Sequence, residues 1–288
     1  MKLLLANLDL YQAWVDRGAA KFSGYDDDAY QASAAMDMNE YHLAGTDAVI
    51  PVVGPLTYKY DFWSWYMGGT SYQGLMSQIQ AAEGNGDVRR IILLMDTPGG
   101  EVTGVSEAGR AIKNCSKPTV AMVDPCCASA GLWLASQAKR IVSVESGEIG
   151  SLGVQCMAVS YSAMMEKAGI DIKLIRASIS PDKNLAFPYE PLGEKATEYL
   201  QDRVDRAGQR FVDAVADGRN VTSEDVLAKF GKGKMLEASE AVEVGLIDEI
   251  GTLSGLLAES REGSTAMKTK RKATSHRAAE RARAFRSI

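Results

Sequence analysis

A serine flanked by small residues, Cys127-Ala128-Ser129-Ala130-Gly131, follows the apolar run Val120-Ala121-Met122-Val123 and opens the helical pattern Ser129-Ala130-Gly131-Leu132-Trp133-Leu134-Ala135. At a helix start, its hydroxyl and the next backbone N–H sit in the positive end of the helix dipole. About thirty residues upstream, a second apolar run, Ile91-Ile92-Leu93-Leu94-Met95, ends in Asp96-Thr97-Pro98-Gly99-Gly100. A Gly-Gly turn lets backbone N–H groups approach a ligand with no side chain in the way. A nucleophile and N–H donors for a tetrahedral oxyanion are the working parts of acyl transfer. Alone, Ser129 would read as a helix N-cap and the two glycines as a tight turn. Their order and pairing favour chemistry.

A serine nucleophile needs a base. The chain has two histidines, His42 in a polar run before the first core strand and His276 in a basic terminal stretch, and neither has a persuasive partner. That inventory disfavours a Ser-His-Asp arrangement and leaves a lysine as the general base, a known variant of the same logic. Such a lysine works when burial or a positive field lowers its pKa, so it is expected in a loop that folds over the site. The four cysteines, Cys115, Cys126, Cys127 and Cys156, lack the CxxC spacing of a metal or redox site and are expected to be reduced. Neither a metal nor a cofactor is expected.

The elements that must position these residues alternate. The first core strand is expected over 48–54, a helix over 72–82, a strand over 90–96, a helix over 102–113 and a strand over 119–124. The Ser129 helix follows, then strands near 140–144, after the Gly150-Ser151-Leu152-Gly153 turn, and over 172–176. Residues 177–192, with Pro181, Pro188 and Pro191, read as a loop. A long amphipathic helix is expected over 194–216, a short one capped by Thr222, another over 237–244, and a last strand in 246–251. Strands alternating with helices of this length imply crossover connections and a largely parallel sheet in an α/β fold. Seven aromatics between Tyr58 and Tyr72 form a core or interface cluster, with a substrate-gripping lip as the alternative.

Composition sets the outer limits. With 288 residues and 46% hydrophobic content the chain can bury one large core. A net charge of −5 argues against nucleic-acid binding by the body, but residues 268–288 hold eight Lys/Arg against one acid. That basic tail is read as solvated, with docking to an acidic partner or nucleic acid as the alternative. The opening Met1-Lys2-Leu3-Leu4-Leu5 is too short an apolar run for a signal peptide, and no stretch is long enough for a membrane span. The organisation expected is an arm over 1–46, a catalytic domain over 47–257 and the tail over 258–288.

Four motifs occur in order: Asp96-Thr97-Pro98-Gly99-Gly100, Ala128-Ser129-Ala130-Gly131, Ile149-Gly150-Ser151-Leu152-Gly153-Val154 and Gly245-Leu246-Ile247-Asp248-Glu249-Ile250-Gly251. Over roughly residues 45 to 257 the chain resembles the signal peptide peptidase A (protease IV) family, and more closely its phage branch of capsid-assembly proteases. The resemblance implies a Clp-protease/crotonase-like spiral of ββα units, with a C-terminal helical segment, that assembles into homo-oligomeric rings. It implies a Ser–Lys dyad with Ser129 as nucleophile and the N–H groups of Gly100 and Ala130 as oxyanion hole, Gly99 supporting the turn. The base falls five residues before a proline, which here puts Lys183 in place through Phe187-Pro188-Tyr189. Relatives carry a Gly-Lys-His-Lys-like run there, whereas this chain has Ser178-Ile179-Ser180-Pro181-Asp182-Lys183, so the assignment rests on the spacing to Pro188. Lys173 is the reserve, and Ser151 would orient the amine or serve only as a turn residue. Substrates would be scaffold or capsid proteins, met in the host cytoplasm inside an assembling shell. The rival readings are a non-enzymatic capsid-assembly component and a crotonase-like acyl-CoA enzyme that shares the oxyanion hole and needs no nucleophile.

Overall fold

The computed structural model describes residues 41–59 and 68–261, and the backbone of 4–6. Its centre is a sheet in which Asp47–Val53 (β3), Arg90–Thr97 (β6), Thr119–Ala128 (β8) and Arg140–Ser143 (β9) run parallel. His42–Ala44 (β2) closes one side, antiparallel to β3. Beyond β8 lie Glu148–Gly150 (β10), parallel to it, and Met235–Glu237 (β11), antiparallel to β10. Glu249–Ile250 (β12) pairs with β9. A second sheet is built from short strands in the order Leu4–Ala6 (β1), Gly99–Glu101 (β7), Leu56–Thr57 (β4), Thr70–Ser71 (β5).

Both faces of the large sheet are covered, which is why its strands are nearly unbroken apolar runs. Ile91, Leu93 and Met95 point with Ala121 and Val123 into the main core. Their neighbours Ile92, Val120 and Met122 point the other way, onto Leu256 and the helical residues 253–261. The main core is roofed by Tyr72–Gly84 (α1), Val105–Lys113 (α2), Ala130–Ser136 (α3) and Glu194–Arg219 (α5). Trp133 of α3 stacks on Phe211 of α5 with ring centroids 5.1 Å apart, and every residue of α3 is buried. Helix starts follow the expected chemistry: Ser71 Oγ accepts the Gly74 N–H, and Thr222 Oγ1 accepts the Asp225 N–H ahead of Ser223–Lys229 (α6). Ala238–Glu243 (α7) completes the helices of that end.

A buried ion pair fastens the far layer. Asp47 is fully buried and accepts from Arg90 Nε at 3.1 Å, Arg90 Nη2 at 2.9 Å and Ser260 Oγ at 2.8 Å. Arg90 also donates to the Leu256 carbonyl and to Glu259. Asp47→Ala leaves the mostly buried guanidinium only the half-exposed Glu259 as counter-charge, and we expect a loss of about 2 kcal/mol of unfolding free energy in urea titration.

Two expected strands do not form. The residues after Gly150 hold only an isolated bridge at Gln155, and 172–176 form no strand; 151–193 instead holds the short helix Ser162–Lys167 (α4) and a run of turns over 178–190. A strand needs a neighbour to satisfy its backbone. Ile175, in the expected strand, is 86% exposed and so packs on no sheet face. The turn-rich loop expected over 177–192 is present. Conversely, Gly99 and Gly100, expected as a turn, lie with Glu101 in β7, because β1 and β4 offer them ladders. Of the aromatic cluster, Tyr72 is in the core and Tyr58 is half-buried, while Tyr60 to Tyr66 lie outside the described residues, as does the basic tail from 262.

Candidate active site

Ser129 stands between β8 and α3 with φ 54° and ψ −111°. A non-glycine residue there costs on the order of 1–3 kcal/mol, a strain the surroundings must impose. They do so from both sides. The Ser129 N–H donates to the Gly150 carbonyl at 2.8 Å, extending the β8–β10 ladder by one bond. Its carbonyl accepts the Trp133 N–H at 3.0 Å as the first bond of α3. The backbone therefore leaves a strand and enters a helix within one residue, the sharp turn on which a serine nucleophile is presented. The hydroxyl makes one hydrogen bond among the described residues, a long one to the Gly153 carbonyl at 3.5 Å. Ser129 is 1% exposed.

A register shift brings the glycine strand to this turn. β6 and β8 pair Met95 with Val123 and then Thr97 with Cys127, so one residue of β6 between these pairs faces three of β8. That bulge re-aims β8 and sets its end beside the Thr97-Pro98-Gly99 corner. Thr97 then does two jobs: Oγ1 donates to the Gly54 carbonyl at 2.6 Å and accepts the Gly99 N–H at 3.1 Å. Its methyl lies against Gly131, where a Cβ would come within 2.5 Å of it, so α3 can approach only with glycine at that position. The result is that α3 and β7 have Cα atoms within 8 Å of each other. Gly100 is clamped in turn, since a Cβ there would lie 1.9 Å from the Leu56 carbonyl oxygen. The Tyr72 hydroxyl donates to the Glu101 carbonyl at 2.8 Å and holds the far end of β7. Neither Thr97 nor Tyr72 stood out as a site residue in the sequence. Thr97 had a signal, a hydroxyl two residues before the glycine pair; Tyr72 had none, being one aromatic among seven.

Thr97→Val keeps the shape and removes both hydrogen bonds. We expect a turnover loss of up to about 10²-fold with KM little changed, since a misplaced donor is costly. Steady-state kinetics beside a thermal melt will separate this from simple unfolding.

The other predicted residues divide. Ser129, Gly99, Gly100 and Ala130 lie around the β6–β7 and β8–α3 corners, and Ser151 is next to Gly150, with its N–H donating to the Lys234 carbonyl at 2.8 Å and φ 56°. Lys183 is exposed on the 151–193 segment. Its carbonyl and that of Asn184 accept from Arg176, whose guanidinium grips Glu190 at 2.6 and 3.1 Å. That clasp shapes the turn carrying Lys183 and holds the Glu190 carboxyl below its ordinary pKa. No hydrogen bond joins Lys183 to Ser129 among the described residues. Lys173 is likewise exposed, and so is His42 on the sheet edge, away from the Ser129 turn.

The thiols beside the serine are poor nucleophiles. Burial, aided by Asp96 and Glu148, pushes Cys126 up to about 12, and burial raises Cys127 well above the ordinary thiol range. Both stay protonated near neutral pH and lack thiolate character. Among the described residues no His/Cys/Asp/Glu cluster could hold a metal, and no helix is long and apolar enough to cross a membrane.

The chain is 32% identical over 251 residues to capsid assembly protease C of Escherichia phage lambda, covering 86% of this chain and 55% of that protein. It is 29% identical over 225 residues to head-tail preconnector protein GP5 of Enterobacteria phage P21, covering 77% of this chain and 44% of that protein. Protease 4 of Salmonella typhi is 27% identical over 190 residues, 65% of this chain and 30% of that protein. The chain thus spans about half the length of the phage proteins it matches. The profile of Peptidase family S49 matches residues 111–267, which include the Ser129 turn, Ser151 and Lys183, and the chain belongs to that family.

Proposed function

We propose that this chain is a serine endopeptidase of phage head assembly, cleaving scaffold or capsid proteins in the host cytoplasm. The observation that carries the reading is the strained Ser129 turn, held beside the Gly99–Glu101 strand by Thr97 and the β8 bulge. In this reading Lys183, as neutral amine, takes the Ser129 proton while Oγ attacks the peptide carbonyl carbon. The N–H groups of Gly100 and Ala130 receive the oxyanion. The protonated lysine returns its proton to the leaving amine, and water, activated by the same amine, resolves the ester. Ser151 orients the amine.

We infer further that the fold is a Clp-protease/crotonase-like spiral. Twice in succession a long strand of the large sheet is followed by short pairing in the second sheet and then a helix: β3-β4-β5-α1, with two short strands, and β6-β7-α2, with one. The peptidase domain spans 47–257 on this reading, with the arm and tail as appendages.

Lys183 reaches Ser129 when the 151–193 segment docks, and a neighbouring copy is the surface we favour. Met157, Met164, Ile170, Ile175 and Ile179 of that segment are all at least half exposed, an apolar run that a homo-oligomer would cover. The test is to mix two inactive chains. Ser129→Ala and Lys183→Ala are each expected to lack activity on purified capsid proteins, and their mixture to regain part of it if one copy's lysine serves another's serine. Wild-type activity in Lys183→Ala would remove the dyad.

A further inference from the structure

The strand that carries the oxyanion glycine is held inside a sheet. On one edge of β7 lies β4, with Leu56 opposite Gly100. On the other edge lies the chain's own N-terminal segment, antiparallel, with Leu4 opposite Glu101, Leu5 opposite Gly100 and Ala6 opposite Gly99. Take β1 away and β7 becomes an open edge: a row of unpaired backbone donors and acceptors beside the Ser129 turn. An open edge of that kind binds an extended peptide by adding it as a strand. On the reading proposed above, a peptide substrate must lay its scissile carbonyl against Gly100, and Leu5 already stands opposite that residue. Ser129 is also covered, at 1% exposure, whereas a protein substrate needs it open.

We propose that Leu4–Ala6 is a built-in occupant of the substrate strand, so that protein substrates must displace the chain's own N-terminal segment to reach Ser129. The occupant is tethered, so it competes at a concentration set by the chain rather than by the solution. When the open form is a minor fraction, apparent substrate affinity falls by that fraction. The segment Leu4-Leu5-Ala6 is uncharged and aliphatic. The peptides that displace it best are accordingly extended, uncharged and aliphatic at the residues facing Gly99–Glu101.

The experiment compares the full chain with its Leu4→Pro/Leu5→Pro double variant. In an antiparallel ladder successive residues alternate in facing the partner strand, so two consecutive prolines remove whichever N–H faces β7. Both chains are followed by amide exchange of the peptide containing Gly99–Glu101, by the rate of Ser129 labelling with a fluorophosphonate, and by thermal melting. We expect unchanged melting, faster exchange at Gly99–Glu101 and labelling about tenfold faster in the variant. A synthetic peptide of residues 1–9, added at millimolar concentration, should slow the variant's labelling again. Unchanged exchange overturns the proposal whatever the labelling shows. Faster exchange with equal labelling overturns it too, because the segment would then pair with β7 without guarding the serine. Absence of Ser129 labelling in both chains removes the serine-peptidase reading itself, and the substrate claim with it.

Discussion

Ser129→Ala is expected to abolish cleavage of capsid or scaffold protein, with a fall of about 10⁶-fold, the scale seen when a serine hydrolase loses its nucleophile. Stability should hardly move, by less than about 0.5 kcal/mol. The hydroxyl's bond to the Gly153 carbonyl is long, at 3.5 Å, and the bonds that define the turn come from the Ser129 backbone, which alanine keeps. Gel assay of cleavage products together with a thermal melt reads both quantities. Near wild-type turnover in the variant would remove Ser129 from the chemistry.

Gly100→Ala should be the most damaging substitution that leaves every functional group in place. Its Cβ would meet the Leu56 carbonyl oxygen at 1.9 Å and the Leu56 backbone nitrogen at 2.6 Å. Both are main-chain atoms in a paired strand, so β4 and β7 must separate. The N–H of residue 100 is retained, yet it no longer points where the oxyanion forms. Loss of one oxyanion donor costs about 10²–10³ in rate, and displacing the whole strand should exceed that, to at least about 10³. Overpacking adds a stability loss of about 1–3 kcal/mol. An intact Ser129 reacting slowly with fluorophosphonate, in a chain that still melts cooperatively, is the expected signature. Unimpaired kinetics would mean that Gly100 is not the donor.

The two substitutions probe different ranges of structure. Ser129 reports on chemistry that its own side chain supplies, whereas Gly100 reports on how closely two strands approach. Thr97 lies between them: one hydroxyl joins Gly54 to Gly99, and one methyl sets the closeness of Gly131. A strand fixed at this many points is pre-organised, which is what the proposed oxyanion role requires.

Much of this was legible in the amino-acid order, because the signals are short-range. The runs at 91–95 and 120–123 are apolar on both faces because helices cover both, and that pattern is visible without a fold. Ser71 and Thr222 announce helix starts by a hydroxyl three residues from the N–H it caps. Ser129, Gly99 and Gly100 announce themselves by residue type after a buried strand. Tertiary structure alone decided the rest, since it depends on which distant segments meet. The β8 bulge, the clamp of Leu56 on Gly100 and the Tyr72 bond to Glu101 join positions 28 to 44 residues apart, beyond any local period. The run around Ile172–Ile175 has the composition of a strand, yet it joins no ladder among the described residues, because a ladder forms only where a second backbone is within reach.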